Sequence, residues 1–140
     1  MTIRYLLDTS VLSEPVAKSP NPKVVRKLQR LGDRCALAAP NWHELVYGCR
    51  RLPDGKRRAA LETYLVDVVQ ASFPMLPYDQ AAAARHAEER ARLDERGLSS
   101  PVVDGQIAAI ALVHGLTLVT RNRKDFVRYE SLRVEDWASS

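Results

Sequence analysis

Ile3-Arg4-Tyr5-Leu6-Leu7-Asp8-Thr9-Ser10 is a short apolar run that stops on a carboxylate and two hydroxyls. Bounded by residues that make local hydrogen bonds in place of a continuing ladder, it reads as a buried strand over residues 3–7 with Asp8 at its tip. Short strands recur downstream between helical stretches. Asn21 caps a helix that opens on Pro22, shows Val24, Val25, Leu28 and Leu31 on its apolar face, and ends at Gly32. Residues 35–38 form a second strand. Asn41 and Glu44 have the spacing of a capping box opening a helix through Arg51, with Leu45, Gly48, Cys49 and Leu52 as its buried stripe. A polar turn at 53–56 precedes a helix carrying Leu61, Leu65, Val68 and Val69, followed by a strand at 75–78. Asp79 caps the next helix, over about 80–96, alanine-rich on one side and charged on the other, with Glu88 and Arg92 paired at i, i+4. Ser100 and Pro101 start another helix, Gly115 stops it, and strands follow at 116–120 and near 132–134. Strands alternating with helices in this way predict an α/β layered domain with a mainly parallel sheet, as one domain over residues 1–140. In such sheets the binding crevice lies beyond the carboxyl ends of the strands, where Asp8 and the segment after Thr120 emerge.

Composition narrows the class. With 46% hydrophobic and 27% charged residues in 140, the chain is neither disordered, collagen-like nor disulfide-rich. Its longest apolar stretch, 107–113, falls far short of the ~20 residues that cross a bilayer, so neither a signal peptide nor a membrane span is expected. Cys35 and Cys49 make no paired metal motif and read as packing thiols in a reduced compartment, which predicts the cytoplasm. The 21 Lys plus Arg against 17 Asp plus Glu leave a net charge of +4, compatible with a polyanionic partner.

Three carboxylates stand out. Asp8 is either a turn or cap residue or a crevice carboxylate, and position alone leaves both readings open. Glu44 is accounted for by the capping box. Asp104 has apolar Ile107, Ala108 and Ala111 at i+3, i+4 and i+7, which puts its charge on the edge of a buried stripe. With Ser100 serving as the cap, capping does not explain it, and a carboxylate so placed is paired, protonated or metal-bound. Brought together, the three would repel one another unless a cation held them, and such oxygen ligands suit Mg²⁺ or Mn²⁺ and a phosphodiester substrate.

With these residues in place, the chain resembles the PIN-domain ribonucleases and, within them, the VapC and FitB-like toxins of bacterial toxin–antitoxin pairs. The resemblance rests on Leu7-Asp8-Thr9-Ser10-Val11-Leu12-Ser13-Glu14, on Glu44 with Gly48, on Asp104-Gly105-Gln106-Ile107-Ala108-Ala109, and on Thr120-Arg121-Asn122 followed by Asp125-Phe126. It implies a three-layer α/β/α fold, Mg²⁺- or Mn²⁺-dependent endoribonuclease activity, homodimerisation, and inhibition by a small cognate antitoxin, with DNA met only through that antitoxin and no membrane role. It also implies that Asp8, Glu44 and Asp104 are catalytic and hold the metal, and that the hydroxyls of Thr9, Ser10 and Thr120 support the metal shell. Asn122 stands where many relatives carry an aspartate. An amide oxygen can ligate a hard cation but supplies no charge, so one firmly held metal is expected. Asp125 either compensates or caps the following turn, the cap being the expectation, and Glu14 is expected at the surface without a role.

Two basic clusters follow, Arg50, Arg51, Lys56, Arg57 and Arg58, and then Arg121, Arg123, Lys124 and Arg128 beside the proposed site. From the second, Arg121, Arg123 and Lys124 are the expected contacts to RNA, tRNA or ribosomal RNA being candidates. His43, His86 and His114 lack metal-ligand spacing and read as packing or surface residues. Two other readings compete. A phosphatase with a strand-end aspartate nucleophile would want a second aspartate where Ser10 stands. A catalytically inactive module would keep the fold only to bind an antitoxin or nucleic acid.

Overall fold

The computed structural model describes residues 2–139. Five short strands, β1 (Tyr5–Leu7), β2 (Cys35–Ala38), β3 (Met75–Leu76), β4 (Thr117–Val119) and β5 (Val134–Glu135), form one sheet in the order β3-β2-β1-β4-β5. Every pairing is parallel, with Tyr5 opposite both Cys35 and Thr117. All carboxyl ends therefore lie along one edge. The chain builds outward from β1 to β2 and β3, then crosses back to β4 on the other side of β1. That reversal makes the β1/β4 junction the topological switch point, where parallel sheets open a crevice.

Side chains alternate across each strand, and the alternation sorts them into two cores. Leu6, Ala36, Ala38 and Leu118 face α5 (Gln80–Glu95) and α6 (Val102–His114), packing with Ala82, Leu93, Ile107 and Ile110. Leu7, Cys35, Leu37 and Val119 face the other way, onto α1 (Thr9–Leu12), α2 (Pro22–Leu31) and α3 (Ala39–Arg50) through Val11, Val24, Leu45 and Cys49. The result is the three-layer α/β/α arrangement. Both cysteines are free and buried in this second core, and burial pushes the Cys35 thiol up to about 12, so it stays protonated. The last helical stretch on this side is α4 (Lys56–Tyr64), which widens into a π-helical turn over Leu65–Gln70 and buries Leu65 and Val69. Among the described residues no helix is long and apolar enough to cross a membrane.

Several local expectations hold. Asn21 accepts from the amides of Lys23 and Val24 at 3.0 and 3.2 Å, Asp79 accepts from Ala82, and Gly115 ends α6 at φ 65°. Others give way to tertiary contacts. The cap of α3 is Ala38, because β2 runs directly into the helix and Pro40 sits in its first turn, so Asn41 is an interior residue and no capping box forms. The cap of α6 is Pro101, while the Ser100 hydroxyl pairs with Tyr129 Oη at 2.7 Å. Arg92 pairs with Glu89 in place of Glu88, because Ala82, His86, Glu89 and Leu93 form the buried stripe of α5 and Glu89 needs cations there; Arg85 supplies the second at 3.1 Å. The final strand, expected near 132–134, starts two residues later and runs over 134–135.

Candidate active site

Asp8 leaves the middle strand as the N-cap residue of α1, yet its side chain caps nothing. Its backbone amide still donates to Val119 of β4 at 2.9 Å, which pins its Cα at the switch point. The residue is buried, 8% exposed, and its carboxylate collects three donors. Thr120 Oγ1 donates to Oδ2 at 2.8 Å, Ser10 Oγ to the same oxygen at 3.3 Å, and Asn41 Nδ2 to Oδ1 at 3.1 Å. The open choice at Asp8 is thereby decided for a crevice carboxylate.

Around it, hydroxyls link the other groups. Asn41 Nδ2 also donates to Thr9 Oγ1 at 3.2 Å, and Thr9 Oγ1 donates to Glu44 Oε1 at 3.4 Å. Glu44 stands one turn beyond Asn41 on α3, exposed at the crevice rim. The amides of Arg121 and Asn122 donate to Ser10 Oγ and Thr120 Oγ1, both at 3.0 Å, closing the loop after β4 over Asp8. Asp104 enters from the first turn of α6, half-buried, with Ile107, Ala108 and Ala111 buried beneath it as the spacing predicts.

The carboxyls act on one another through their charges. Desolvation and then the charge of Asp8 push the Glu44 carboxyl up, the Thr9 hydroxyl pulls against them, and Asp104 adds a lesser push that His43 opposes. Asp104 is raised by desolvation, then by Asp125 and Asp8, and Arg128 offsets this only in part. Like charges facing each other with so little compensation are what a hard cation would relieve, and the donors are all oxygens. Among the described residues, no three carboxylates or imidazoles close into a finished cage by themselves.

The remaining expectations sort by geometry. Asp125 is the last residue of the turn Arg123–Asp125, and in place of the expected capping hydrogen bond, which its carboxylate does not make among the described residues, its charge raises Asp104. Asn122 sits at the rim with its amide on Thr120. Glu14 is not a surface residue: it is buried, accepts from the Asn21 amide at 2.7 Å, and receives Arg121 Nη1 at 2.8 Å. That pair occupies the guanidinium of Arg121, whereas Arg123 and Lys124 are exposed and make no ion pair among the described residues. The earlier basic cluster is largely spent internally, Arg58 on Asp54 and Glu62, Arg50 on Glu62, and Arg51 over the Tyr47 ring. His43 stacks on Tyr47, and His86 packs between Tyr78 and Gly105. Sequence reasoning missed Asn41; the signal available was an amide three residues before Glu44, which read equally well as a cap.

The stretch of chain that carries these side chains matches a known family. The PIN domain family matches residues 5–132. This chain belongs to it. Among curated PIN-domain relatives, Toxin FitB of Neisseria gonorrhoeae is 34% identical over 94% of this chain and 97% of its own length. The tRNA(fMet)-specific endonuclease VapC of Shigella flexneri is 29% identical over 97% and 99%. Among solved structures, that of FitAB bound to an IR36 DNA fragment superposes with a TM-score of 0.88 at 32% identity, covering 96% of this chain and 95% of the other. The resemblance to VapC and FitB-like toxins is thus borne out across the whole PIN domain, as is the three-layer fold.

Proposed function

We propose that this PIN domain is the toxin of a toxin–antitoxin pair and a Mg²⁺- or Mn²⁺-dependent endoribonuclease that hydrolyses RNA phosphodiester bonds in the cytoplasm. The observation that carries the reading is Asp8, immobilised by three donors at the switch point, with the carboxyls of Glu44 and Asp104 each raised by desolvation and, after it, by a contribution from the Asp8 charge. Asp8, Glu44 and Asp104 would hold the ion, with the neutral oxygen of Asn122 beside them. When bound, the ion lowers the pKa of a water and neutralises charge growing on the phosphate. The protein's own part is positional. Thr120, Ser10 and Asn41 keep the Asp8 carboxylate from turning, and Thr9 does the same more weakly for Glu44. Glu44 stands at the exposed rim beside Thr9, where its carboxylate would help hold the ion and orient its water. Arg123 and Lys124, exposed and without an ion pair among the described residues, line the approach of a phosphate backbone, while Arg121 mainly anchors the loop.

Names of the relatives support the nuclease reading, and the solved neighbours support a partner. VapBC from Salmonella typhimurium was solved bound to DNA, and FitAB likewise. By analogy, a small cognate antitoxin would cover this crevice and supply any contact with DNA, and the toxin itself would form a homodimer. A catalytically inactive module is the second reading, favoured only by Asn122 in place of a fourth acid.

One experiment separates them: antitoxin-free protein is incubated with a mixed tRNA and ribosomal RNA pool in Mg²⁺ or Mn²⁺, with EDTA and Asp104→Asn as controls. Discrete fragments that vanish in both controls are expected. Asp104→Asn is nearly isosteric, so a well-folded variant that still cleaves would remove Asp104 from the mechanism. Absence of both cleavage and Mn²⁺ binding in the wild type would establish the inactive module.

A further inference from the structure

We infer that Asn41 is a positioning residue of the carboxylate site, one whose hydrogen bonds serve Asp8 and Thr9 at the expense of fold stability. The inference rests on the nuclease reading proposed above. Asn41 is fully buried, and both of its donated bonds go to site groups, Asp8 Oδ1 at 3.1 Å and Thr9 Oγ1 at 3.2 Å. Its orientation is fixed by chemistry: an ionised carboxylate only accepts, so the atom facing Asp8 must be the NH₂ group. The amide oxygen then points elsewhere, and among the described residues it is buried without a hydrogen-bond partner. A side chain present only to fill the core would not carry an unmet acceptor, because leaving one unmade inside a protein is destabilising. Local rules broken in this way cluster at functional sites.

The placement has a mechanical consequence. Asn41 and Glu44 lie three residues apart on α3 and so share a face. Asn41 reaches Asp8 directly and reaches Glu44 through the Thr9 hydroxyl, so one helix sets the relative position of two carboxylates from different elements. With Oδ2 of Asp8 held by Thr120 and Ser10, Asn41 is the group that stops the carboxylate rotating about its remaining oxygen.

The test uses the full chain with Asn41→Leu, which keeps the branched outline but has no donor and no acceptor, and Asn41→Ala, which removes the same bonds without adding volume. Three quantities are read: Tm of the metal-free protein, Mn²⁺ affinity by calorimetry, and kcat and KM on RNA. The Leu variant is expected to melt at or above the wild-type temperature. In both variants Mn²⁺ affinity and kcat should fall about 10- to 100-fold, the usual cost of losing a group that orients a metal ligand, with KM changed far less. Should Leu prove too large to fold, Ala carries the affinity and kcat readings alone. A lowered Tm together with wild-type Mn²⁺ affinity and kcat in the folded variants would make Asn41 an ordinary core residue and overturn the inference. Wild-type protein that neither binds Mn²⁺ nor cleaves would overturn the nuclease reading and this inference with it, and that failure is recognisable because it appears before any substitution.

Discussion

Glu14 and Glu44 are the same amino acid with carboxyls moved in opposite directions, because donors outweigh desolvation at Glu14 while desolvation and neighbouring carboxylates add at Glu44. The Asn21 amide, and after it the Arg121 guanidinium, hold Glu14 below its ordinary 4.5 despite burial. Glu44 and Asp104 are raised, from 4.5 and 3.8 respectively, by desolvation first and then by neighbouring carboxylates. The signs for stability are opposite as well. Glu14 contributes stability that is complete above its unfolded value and is lost as pH falls through its lowered folded one. At Glu44 and Asp104 the folded form binds protons more tightly than the unfolded chain, so stability rises as pH falls from neutral toward their unfolded values. Metal-free protein should therefore show its highest Tm in mild acid, with the rise abolished by Mn²⁺ at neutral pH and flattened in a Glu44→Gln, Asp104→Asn double variant. A Tm that declines steadily from pH 7 downward would contradict this. Removing Glu14 strands the Asn21 amide and uncouples Arg121, so Glu14→Ala should cost about 1–3 kcal/mol in urea unfolding. Arg121→Ala should cost less, since that side chain is 40% exposed. None of this was legible at residue 14, whose partners lie 7 and 107 positions away.

At the level of elements, the first turn of α6 is held by a close contact with α5. A β-carbon on Gly105 would run into the His86 ring and stand 2.8 Å from Ser100 Oγ, and the neighbouring residue is Asp104. The close fit explains why a helix can carry glycine in its first turn, where alanine would ordinarily be favoured. Gly105→Ala should lower stability by about 1–3 kcal/mol through overpacking and reduce cleavage by shifting Asp104. Adding His86→Ala opens the space and should recover part of both, which thermal melts and cleavage assays on the single and double variants would reveal; strictly additive losses would rule the contact out. The periodicity of α5 and α6 was readable because it depends on spacing within one helix. Whether Ser100 caps or pairs with Tyr129, and whether Arg92 finds Glu88 or Glu89, depended on how those helices rotate against each other.

Across the whole molecule, the net charge of +4 matters less than where unpaired cations remain. In the cluster at 50–58, Arg50 and Arg58 pair with Glu62 and Asp54 and Arg51 lies over the Tyr47 ring, while Arg123 and Lys124 stand exposed beside the candidate site without an ion pair among the described residues. RNA binding should weaken with salt, and an Arg123→Ala, Lys124→Ala variant should raise KM and reduce the slope of log affinity against log salt by about 1–2. Equal slopes for variant and wild type would place the RNA elsewhere. From the sequence by itself came the alternation of strands and helices, the parallel sheet, the emergence of Asp8 at a strand end and of Asp104 on a buried stripe, and the family resemblance. These follow from periodicity, caps and glycine stops, which act within a few residues of themselves. Only the tertiary structure decided that Asn41 braces Asp8, that Glu14 is buried against Arg121, and that Asp125 acts on Asp104. A polar side chain takes whatever partner the sheet order brings to it, and Asp8 meets Thr120 across 112 residues only because β1 and β4 are neighbours.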